Sequence, residues 1–317
     1  KVMPPLAEEE LAEGMALVDR HNRAYGITSL QEASAVNDYR RWQRLQAIKQ
    51  AGQLKTRIYM MFGYNALGQF REAGLAQGAG DGHLRLGGVK IIVNKASGRL
   101  WPSPPELGEM VWRVNQAGFQ VAIHAVEQGE VEAAIGAYEH VGSRTVAQQR
   151  HRIEHCSECP QPLLKRLSKL KATVVTQPPF VYHNGERYLA TIAPEVLPTL
   201  YRVKSFLDSS LVVGASSDYP VVPANPMAGL YGAVTRRAAS GQELLPWEGI
   251  TLNQAIALYT LGSAYASFEE SIKGSITPGK LADVLVLSDD ITRLPPAGLK
   301  DVKVLMTIID GKIEWEA

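Results

Sequence analysis

Two histidines end predicted strands in a way that suggests metal binding. His124 ends the run VAIH, and His155 ends the run RIEH further along the chain. A single histidine in such a place is more simply explained as a core residue bonded to a backbone carbonyl. Two of them on successive strands match the imidazole pairs that bind zinc. The pair therefore favours a site for one or two ions of zinc or another divalent metal.

Two further side chains could complete this site. Asp218 follows the stretch VVGASS, where a carboxylate can bind a metal and take a proton from metal-bound water. The alternative is a turn or N-cap aspartate shortly before Pro220. Lys90 lies in the apolar run GVKIIV, where burial would lower the pKa of its ammonium group. A neutral lysine can react with carbon dioxide to give a carbamate ligand, whereas the alternative is a lysine that reaches the rim of the fold.

Three weaker candidates lie outside the predicted strands. Tyr219, Gln177 and Arg202 are predicted to line a substrate pocket, although a structural role is the simpler explanation for each of them. Cys156 and Cys159 are the only cysteines, so no disulfide framework holds the chain together. Their C-S-E-C spacing allows a redox pair or half of a zinc knuckle. Without a second such pair, two small residues on a loop after a strand is the simpler interpretation.

The elements that must position these residues alternate between short β-rich runs and helical patterns. Apolar residues at i, i+3, i+4 and i+7, as from Leu107 to Val114 and from Val131 to Tyr138, indicate amphipathic helices. Such alternation is typical of a parallel sheet with helical crossovers. The predicted strands cover residues 26–32, 56–62, 88–93, 120–124, 152–155, 172–176 and 211–215.

A barrel would bring positions 90, 124, 155 and 218 together, because the carboxyl ends of all its strands meet at one mouth. An open doubly wound sheet is the alternative, but no G-x-G-x-x-G phosphate turn follows any of these strands. A helical pattern over residues 8–25 precedes the first strand, so a complete (β/α)₈ barrel needs a strand before residue 1. We therefore predict an α/β fold with a TIM-type barrel domain over residues 1–265 that lacks its first strand.

The remainder of the chain, residues 266–317, changes to a β pattern. Apolar or alternating runs cover residues 282–287, 302–309 and 312–315. The Asp310-Gly311 dipeptide between the last two runs is a strong signal for a two-residue hairpin. This segment is predicted to be the C-terminal part of a small β-sandwich.

Composition and charge exclude several classes of partner. Lys and Arg total 33 against 32 Asp and Glu, and no basic block is interleaved with aromatics, which argues against nucleic acid. No stretch approaches the roughly 20 apolar residues that span a bilayer, and residues 1–10 lack the apolar core of a secretory signal. We expect a cytoplasmic protein that acts on a small molecule, with neither membrane nor nucleic acid as a partner.

Several segments together resemble the amidohydrolase superfamily, most closely its amidohydrolase-3 branch of YtcJ-like and N-substituted formamide deformylase-like proteins. The segments occur in the family's order and span nearly the whole chain. They are GITS from residue 26, GVKI from 88, GFQVAIHA from 118, RHRIEH from 150, SSDYPV from 216 and GSITPGKLAD from 274. The RHRIEH and GSITPGKLAD strings are the more specific ones.

The resemblance implies metal-dependent hydrolysis of a non-peptide, amide-like C–N bond. It implies a carboxylated Lys90 that bridges two metals, and His124 and His155 as ligands of the more exposed metal. Asp218 would bind the buried metal and act as general base. A metal-bound hydroxide would attack the carbonyl, and Asp218 would pass the proton to the leaving nitrogen. The family also suggests a homodimer.

The chain departs from this family at two places. Members carry a His-x-His pair on the first barrel strand, and no H-x-H occurs in this sequence. Asn94 and Lys95 stand where Asp-Gly-Ser-like residues commonly follow the lysine strand, so Lys95 either enters the pocket or points to solvent. Two hypotheses follow: a zinc-dependent C–N hydrolase, or a catalytically inactive barrel that binds a ligand or partner.

Overall fold

The computed structural model describes residues 7–96 and 98–317, and these residues form three β-sheets. The sheets have seven, three and two strands. In chain order the strands are β1 Ser29–Glu32, β2 Arg57–Gly63, β3 Leu84–Ile92, β4 Asn94–Ala96, β5 Arg99–Trp101, β6 Val121–Ala125, β7 Arg152–His155, β8 Thr173–Thr176, β9 Val213–Ala215, β10 Val284–Leu287, β11 Val304–Ile309 and β12 Lys312–Glu316.

The seven-stranded sheet is parallel throughout and follows chain order, β1-β2-β3-β6-β7-β8-β9. Sequential parallel strands joined by helical crossovers twist and curl in one direction. The result is a half-barrel of the TIM type, in which the carboxyl ends of the strands share one mouth. Among the described residues, β1 and β9 are edge strands that are each hydrogen-bonded to one neighbour.

Helices connect the strands and cover the outer face of this sheet. They are α1 Glu8–Ala24, α2 Tyr39–Gln50, α3 Leu67–Glu72, α4 Pro104–Gln116, α5 Gln128–Val141, α6 Ser143–Gln148, α7 Gln161–Leu170, α8 Pro179–Thr191, α9 Val203–Asp208, α10 Pro226–Thr235, α11 Leu252–Ala257 and α12 Ser263–Ala266. A π-helical turn, Leu258–Gly262, joins the last two. Short 3₁₀ turns occur at Tyr64–Ala66, Leu197–Thr199, Pro246–Glu248 and Pro296–Asp301.

Local sequence explains where α4 begins. Ser103 is its N-cap residue, and both its backbone N and its Oγ donate to Glu106 Oε2, at 2.9 and 2.6 Å. The Glu106 carboxylate thus gives the N-cap N–H an acceptor, as in a capping box. Pro104 takes the first helical position, where its fixed φ suits a helix and its missing N–H costs nothing. Leu107 and Val111 then lie buried on one face, as their spacing predicts.

Strand β2 shows how the sheet separates two apolar regions. Met60 and Phe62 belong to the large core between sheet and helices, where the Phe62 ring lies 4.2 Å from that of Phe70. Tyr59 and Met61 belong to a small cluster on the other side of the strand, inside the curl. Because side chains alternate along a strand, β2 is apolar on both faces. We call the space inside the curl the lumen.

The three-stranded sheet is antiparallel and ends in the predicted hairpin. Asp310 and Gly311 have φ values of 53° and 73°, as a type I′ turn requires. Arg57 on β2 ties this sheet to the half-barrel. Its Nε donates to Asp283 Oδ2 at 2.7 Å and its Nη2 to Oδ1 at 3.0 Å, and both side chains are 4% exposed.

A helical segment connects the two edge strands of the half-barrel. The Ser263 Oγ donates to the carbonyl of Ala215, the last residue of β9, at 3.1 Å. The Ser263 carbonyl accepts from Gln31 Nε2 on β1 at 2.8 Å. One residue of α12 therefore bonds to both edges. None of the helices in the described ranges is both long and apolar enough to span a bilayer.

All seven predicted strands of the large sheet and the three C-terminal ones are confirmed, and all but β7 have shifted ends. The largest shift is in β3, which begins at Leu84 and not at Gly88. The β4–β5 hairpin was not predicted. It carries Lys95 as an exposed residue beyond the end of β3.

Candidate metal centre

Strand β3 carries Lys90 on the face that lines the lumen. Lys90 pairs in register with Ala122 on β6, which belongs to the lumen cluster. Its side chain is buried, with 7% of the residue exposed. Burial lowers the pKa of Lys90, while the carboxylates of Glu154 and Asp218 oppose that change. The sequence predicted this environment from the apolar run alone.

The two predicted histidines lie side by side. His124 is half-buried near the end of β6, and His155 is buried at the end of β7. Their ring centroids are 4.4 Å apart and the ring planes are inclined by 75°. Burial lowers the pKa of His124 to about 4 and that of His155 to about 3, and the nearby Lys90 adds to both shifts. Both imidazoles are therefore neutral near pH 7, the form that offers a lone pair to a metal.

His155 occupies a strained turn. The Cys156 N–H donates to the Glu154 carbonyl at 3.0 Å, which closes a γ-turn around His155 with a φ of 69°. This is the rarer and more strained kind of γ-turn. Cys156 follows with a φ of 50°, and its N–H also donates to the Ala125 carbonyl on β6 at 3.0 Å. Cys156 and Cys159 are free and buried on the loop after β7, which agrees with the simpler interpretation of the pair.

Gln177 contacts His155 directly. Its Oε1 lies 2.8 Å from His155 Nδ1. Its Nε2 donates to Ser216 Oγ at 3.0 Å and to the Val175 carbonyl at 3.4 Å. Gln177 is only 2% exposed. A residue predicted to line a substrate pocket is thus engaged with a candidate metal ligand.

Asp218 follows β9 at the mouth of the half-barrel. It has a φ of 55° and is exposed. Protein atoms around its carboxyl still raise the pKa of Asp218 by partial desolvation, whereas the positive charge of Lys90 acts against that rise. The two side chains are therefore close enough to interact electrostatically.

Arg152 and Glu154 form a buried ion pair in the lumen that the sequence analysis did not single out. Arg152 Nη2 donates to Glu154 Oε2 at 2.9 Å, and both side chains are at most 6% exposed. Arg152 also donates to Gln31 Oε1 on β1. Burial alone would raise the pKa of Glu154, but Arg152 and Lys90 together lower it to about 2. The signal that could have found the pair is two charges at i and i+2, on one face of a strand.

Glu32 is the second carboxylate that the sequence analysis missed. It ends β1, where the Ser34 N–H donates to Oε1 at 3.2 Å and Asn37 Nδ2 donates to Oε2. Burial raises the pKa of Glu32, and Lys90 is among the groups that oppose this. Carboxylates at the ends of three strands thus act on the same lysine.

The types of donor at this mouth suit a divalent cation of the zinc type. Within residues 7–96 and 98–317, no group of three or more His, Cys, Asp or Glu side chains is arranged to hold a metal ion. The donors at hand are two neutral imidazoles, one carboxylate and one buried lysine, and imidazole and carboxylate are ligands that zinc uses. His155 Nδ1 has a buried hydrogen-bond partner, Gln177. Metal-binding histidines typically have such a partner on the ring nitrogen that does not bind the metal. His124 and His155 would be the nitrogen ligands.

Tyr219 and Arg202, the other two predicted pocket residues, have neighbours other than those of Gln177. Tyr219 is 46% exposed, and its ring centroid is 6.2 Å from that of His21 on α1, so the loop after β9 reaches this helix. Arg202 donates to the Cys159 carbonyl and to Gln161 Oε1, each at 3.1 Å. The structure does not bring the Arg202 guanidinium into the group around Lys90.

The sequence matches the model of a known protein family. Residues 1–313 match the model of the amidohydrolase family, and the chain belongs to that family. The N-substituted formamide deformylase of Arthrobacter pascens is 28% identical over 254 residues, which cover 74% of this chain and 46% of that protein. The putative amidohydrolase YtcJ of Bacillus subtilis is 28% identical over 66% of this chain and 40% of its own length. The chain thus spans about half the length of these relatives.

Solved structures support the fold. An uncharacterized metal-dependent hydrolase from Pyrococcus horikoshii superposes with a TM-score of 0.79 at 23% identity, over 92% of this chain and 62% of its own. Atrazine chlorohydrolase TrzN from Arthrobacter aurescens, complexed with zinc and atraton, superposes with a TM-score of 0.67 at 12% identity. That match covers 98% of this chain and 73% of TrzN. The half-barrel is therefore of the amidohydrolase TIM-barrel type.

Proposed function

We propose that the protein hydrolyses a non-peptide C–N bond of a small molecule with one or two divalent cations, zinc first among them. Membership of the amidohydrolase family supports hydrolysis. One relative is named N-substituted formamide deformylase, so N-substituted formamides are the first substrates to test. A cytoplasmic location and a homodimer are part of the same proposal.

The observation that carries the proposal is the meeting of side chains from separate strands at one mouth. The imidazoles of His124 and His155 lie 4.4 Å apart, between ring centroids. Lys90 influences the pKa of both histidines and that of Asp218. In barrels of this type the residues at the carboxyl ends of strands carry the chemistry.

Each candidate residue of the chain would have a different role in this hydrolysis. A bound divalent cation supplies Lewis acidity and lowers the pKa of water. His124 and His155 would hold that cation through their ring nitrogens. Asp218 would accept a proton from the attacking water and pass it to the leaving nitrogen, and its raised pKa makes it a better proton acceptor than an ordinary aspartate. Burial of Lys90 favours the neutral amine, which can add carbon dioxide and lose a proton to become a carbamate with oxygen donors.

Metal content and hydrolysis test the proposal together. The purified chain is loaded with zinc, freed of excess metal, and assayed for metal per chain and for amine release from a panel of N-substituted formamides and acyl amides. We expect about one zinc or more per chain. The His124→Ala and His155→Ala variants should lose zinc, and Asp218→Asn should keep at least part of it while amine release falls by about 100-fold or more.

The matched control is His140→Ala, which removes an exposed histidine on α5. This variant should keep both the zinc content and the rate of the original chain. A chain that binds no zinc and releases no amine would contradict the proposal and would leave ligand binding without catalysis as the function to test.

A further inference from the structure

We infer that Gln177 is a positioning residue that keeps the His155 proton on Nδ1 and so leaves Nε2 as the nitrogen available to a cation. The inference deepens the proposed function, on which its metal-binding part rests. It departs from the sequence analysis, which predicted that Gln177 lines a substrate pocket. Gln177 can do this because a carboxamide carries one acceptor and one donor group, each fixed here by a different neighbour.

The orientation of the amide follows from its partners. Gln177 Nε2 lies 3.4 Å from the Val175 carbonyl and 3.0 Å from Ser216 Oγ. A backbone carbonyl can only accept a hydrogen bond, so the group that faces it must be the NH₂. The carbonyl oxygen of the amide is then the atom that faces His155 Nδ1, at 2.8 Å.

The state of the imidazole follows in turn. An amide oxygen can only accept, so Nδ1 must carry a hydrogen to bond to it. His155 is buried, and burial favours the neutral imidazole, which carries a single ring proton. With that proton on Nδ1, the lone pair is on Nε2. Metal-binding histidines are commonly fixed in this way by a partner on the other ring nitrogen.

The same amide also links His155 to the segment that carries Asp218. Ser216 receives the Gln177 bond through its Oγ, and its N–H donates to the Thr176 carbonyl at 2.9 Å. Ser216 is two residues from Asp218 in sequence. The hydrogen-bonded chain thus joins the carboxyl ends of β7, β8 and β9, and it places two candidate ligands on one connected unit.

The test begins with the proton position in the metal-free chain. Long-range ¹H–¹⁵N NMR of the histidine-labelled protein distinguishes a protonated ring nitrogen from a bare one. We expect Nδ1–H and bare Nε2 for His155 in the original chain. In Gln177→Leu we expect a change of tautomer or a mixture of the two, whereas Gln177→Glu keeps an acceptor and should restore Nδ1–H. Ser216→Ala removes the contact that holds the NH₂ end and should give an intermediate result.

Zinc affinity is the second readout. Gln177→Leu should weaken zinc binding by about 10- to 100-fold, and Gln177→Glu should recover most of that loss. Gln43→Leu, an exposed glutamine on α2, is the matched control and should change neither readout. Thermal melts identify any variant that does not fold, and the zinc affinity of Ser216→Ala is then measured in place of that variant.

The outcomes separate this inference from the proposed function. A bare Nδ1 on His155 in the original chain overturns the inference, whether or not zinc binds. An unchanged tautomer and unchanged zinc affinity in Gln177→Leu also overturn it. A chain with the expected tautomer that binds no zinc would contradict the proposed function and leave the positioning by Gln177 intact.

Discussion

His151 and His155 are the buried histidines in the described part of the chain, and burial favours the neutral form of each. His155 is a candidate ligand, whereas His151 directly precedes β7 and is fully buried. The Val121 N–H donates to His151 Nδ1 at 3.1 Å, so this nitrogen needs its lone pair. Burial lowers the pKa of His151 to about 4. A group of this kind makes stability depend on pH.

The free energy of unfolding should fall as the pH is lowered through the window set by His151. Its pKa is about 4 in the folded chain against 6.5 as the ordinary value. Between these values the unfolded chain binds a proton that the folded chain does not, so acid favours unfolding. The full loss from this one group is about 3 kcal/mol below pH 4. Urea unfolding at pH 7, 6, 5 and 4 measures it.

The variant His151→Asn keeps an oxygen that can accept from Val121 and removes the titrating ring. It should show a smaller loss of stability between pH 6.5 and 4 than the original chain, although the cavity it leaves lowers stability at every pH. Equal pH slopes for both chains would contradict the assignment.

Residue types at strand ends could be read from sequence because they follow local pattern. His124, His155 and Asp218 each end or follow a predicted strand, and Lys90 lies within an apolar one. The partners that define their surroundings could not be predicted in the same way. Gln177 contacts His155 across 22 positions, and Arg152 contacts Gln31 across 121. Such contacts depend on how strands are ordered in the sheet.

At the scale of elements, the π-helical turn before α12 depends on a glycine. An added Cβ at Gly262 would lie 2.0 Å from the Val213 carbonyl oxygen on β9, which no relaxed structure tolerates. Gly262→Ala must therefore move the helical segment away from the strand. We expect a loss of about 2 kcal/mol or more in the free energy of unfolding, measured with urea.

Gly136→Ala on α5 is the matched control. Nothing lies within 4 Å of an added Cβ there, and α5 is a regular helix. Alanine in a helix interior should add up to about 1 kcal/mol to the free energy of unfolding. If Gly262→Ala were as stable as this control, the close approach of the π-helical turn to β9 would be wrong.

Strands and the C-terminal hairpin could be predicted because their signals are local. Val, Ile and apolar alternation indicate strands, and Asp310-Gly311 indicates its turn without reference to the rest of the chain. The first residues of β3 were missed because Arg85 and Gly87 interrupt the leucines there, which weakens the apolar pattern of a buried strand. The β4–β5 hairpin was missed because its strands have three residues each.

At the scale of the molecule, a buried ion pair joins the C-terminal sheet to the half-barrel. Arg57 and Asp283 are bonded at two points and are both 4% exposed. Removing one charge leaves its partner buried without full compensation, which typically costs about 3–5 kcal/mol. Asp283→Asn should therefore lower the free energy of unfolding by about 3 kcal/mol, since Asp310 still contacts Arg57.

Asp290→Asn provides the comparison for that measurement. Asp290 pairs with Arg293, but these side chains are 54% and 86% exposed. An exposed pair contributes little, so the change should stay within about 0.5 kcal/mol. Equal effects of the two substitutions would mean that the sheets are not held together by Arg57.

Ser263 gives the half-barrel a property that strand pairing alone would not. Its hydroxyl donates to the last strand of the large sheet, β9, and its carbonyl accepts from the first strand, β1. The curvature of the sheet is therefore coupled to whether a short helical segment stays folded. When that segment unfolds locally, both edge strands of the sheet lose a hydrogen-bond partner at the same time. Opening of this one turn of helix would therefore loosen β1 and β9 together, and with them the two sides of the mouth.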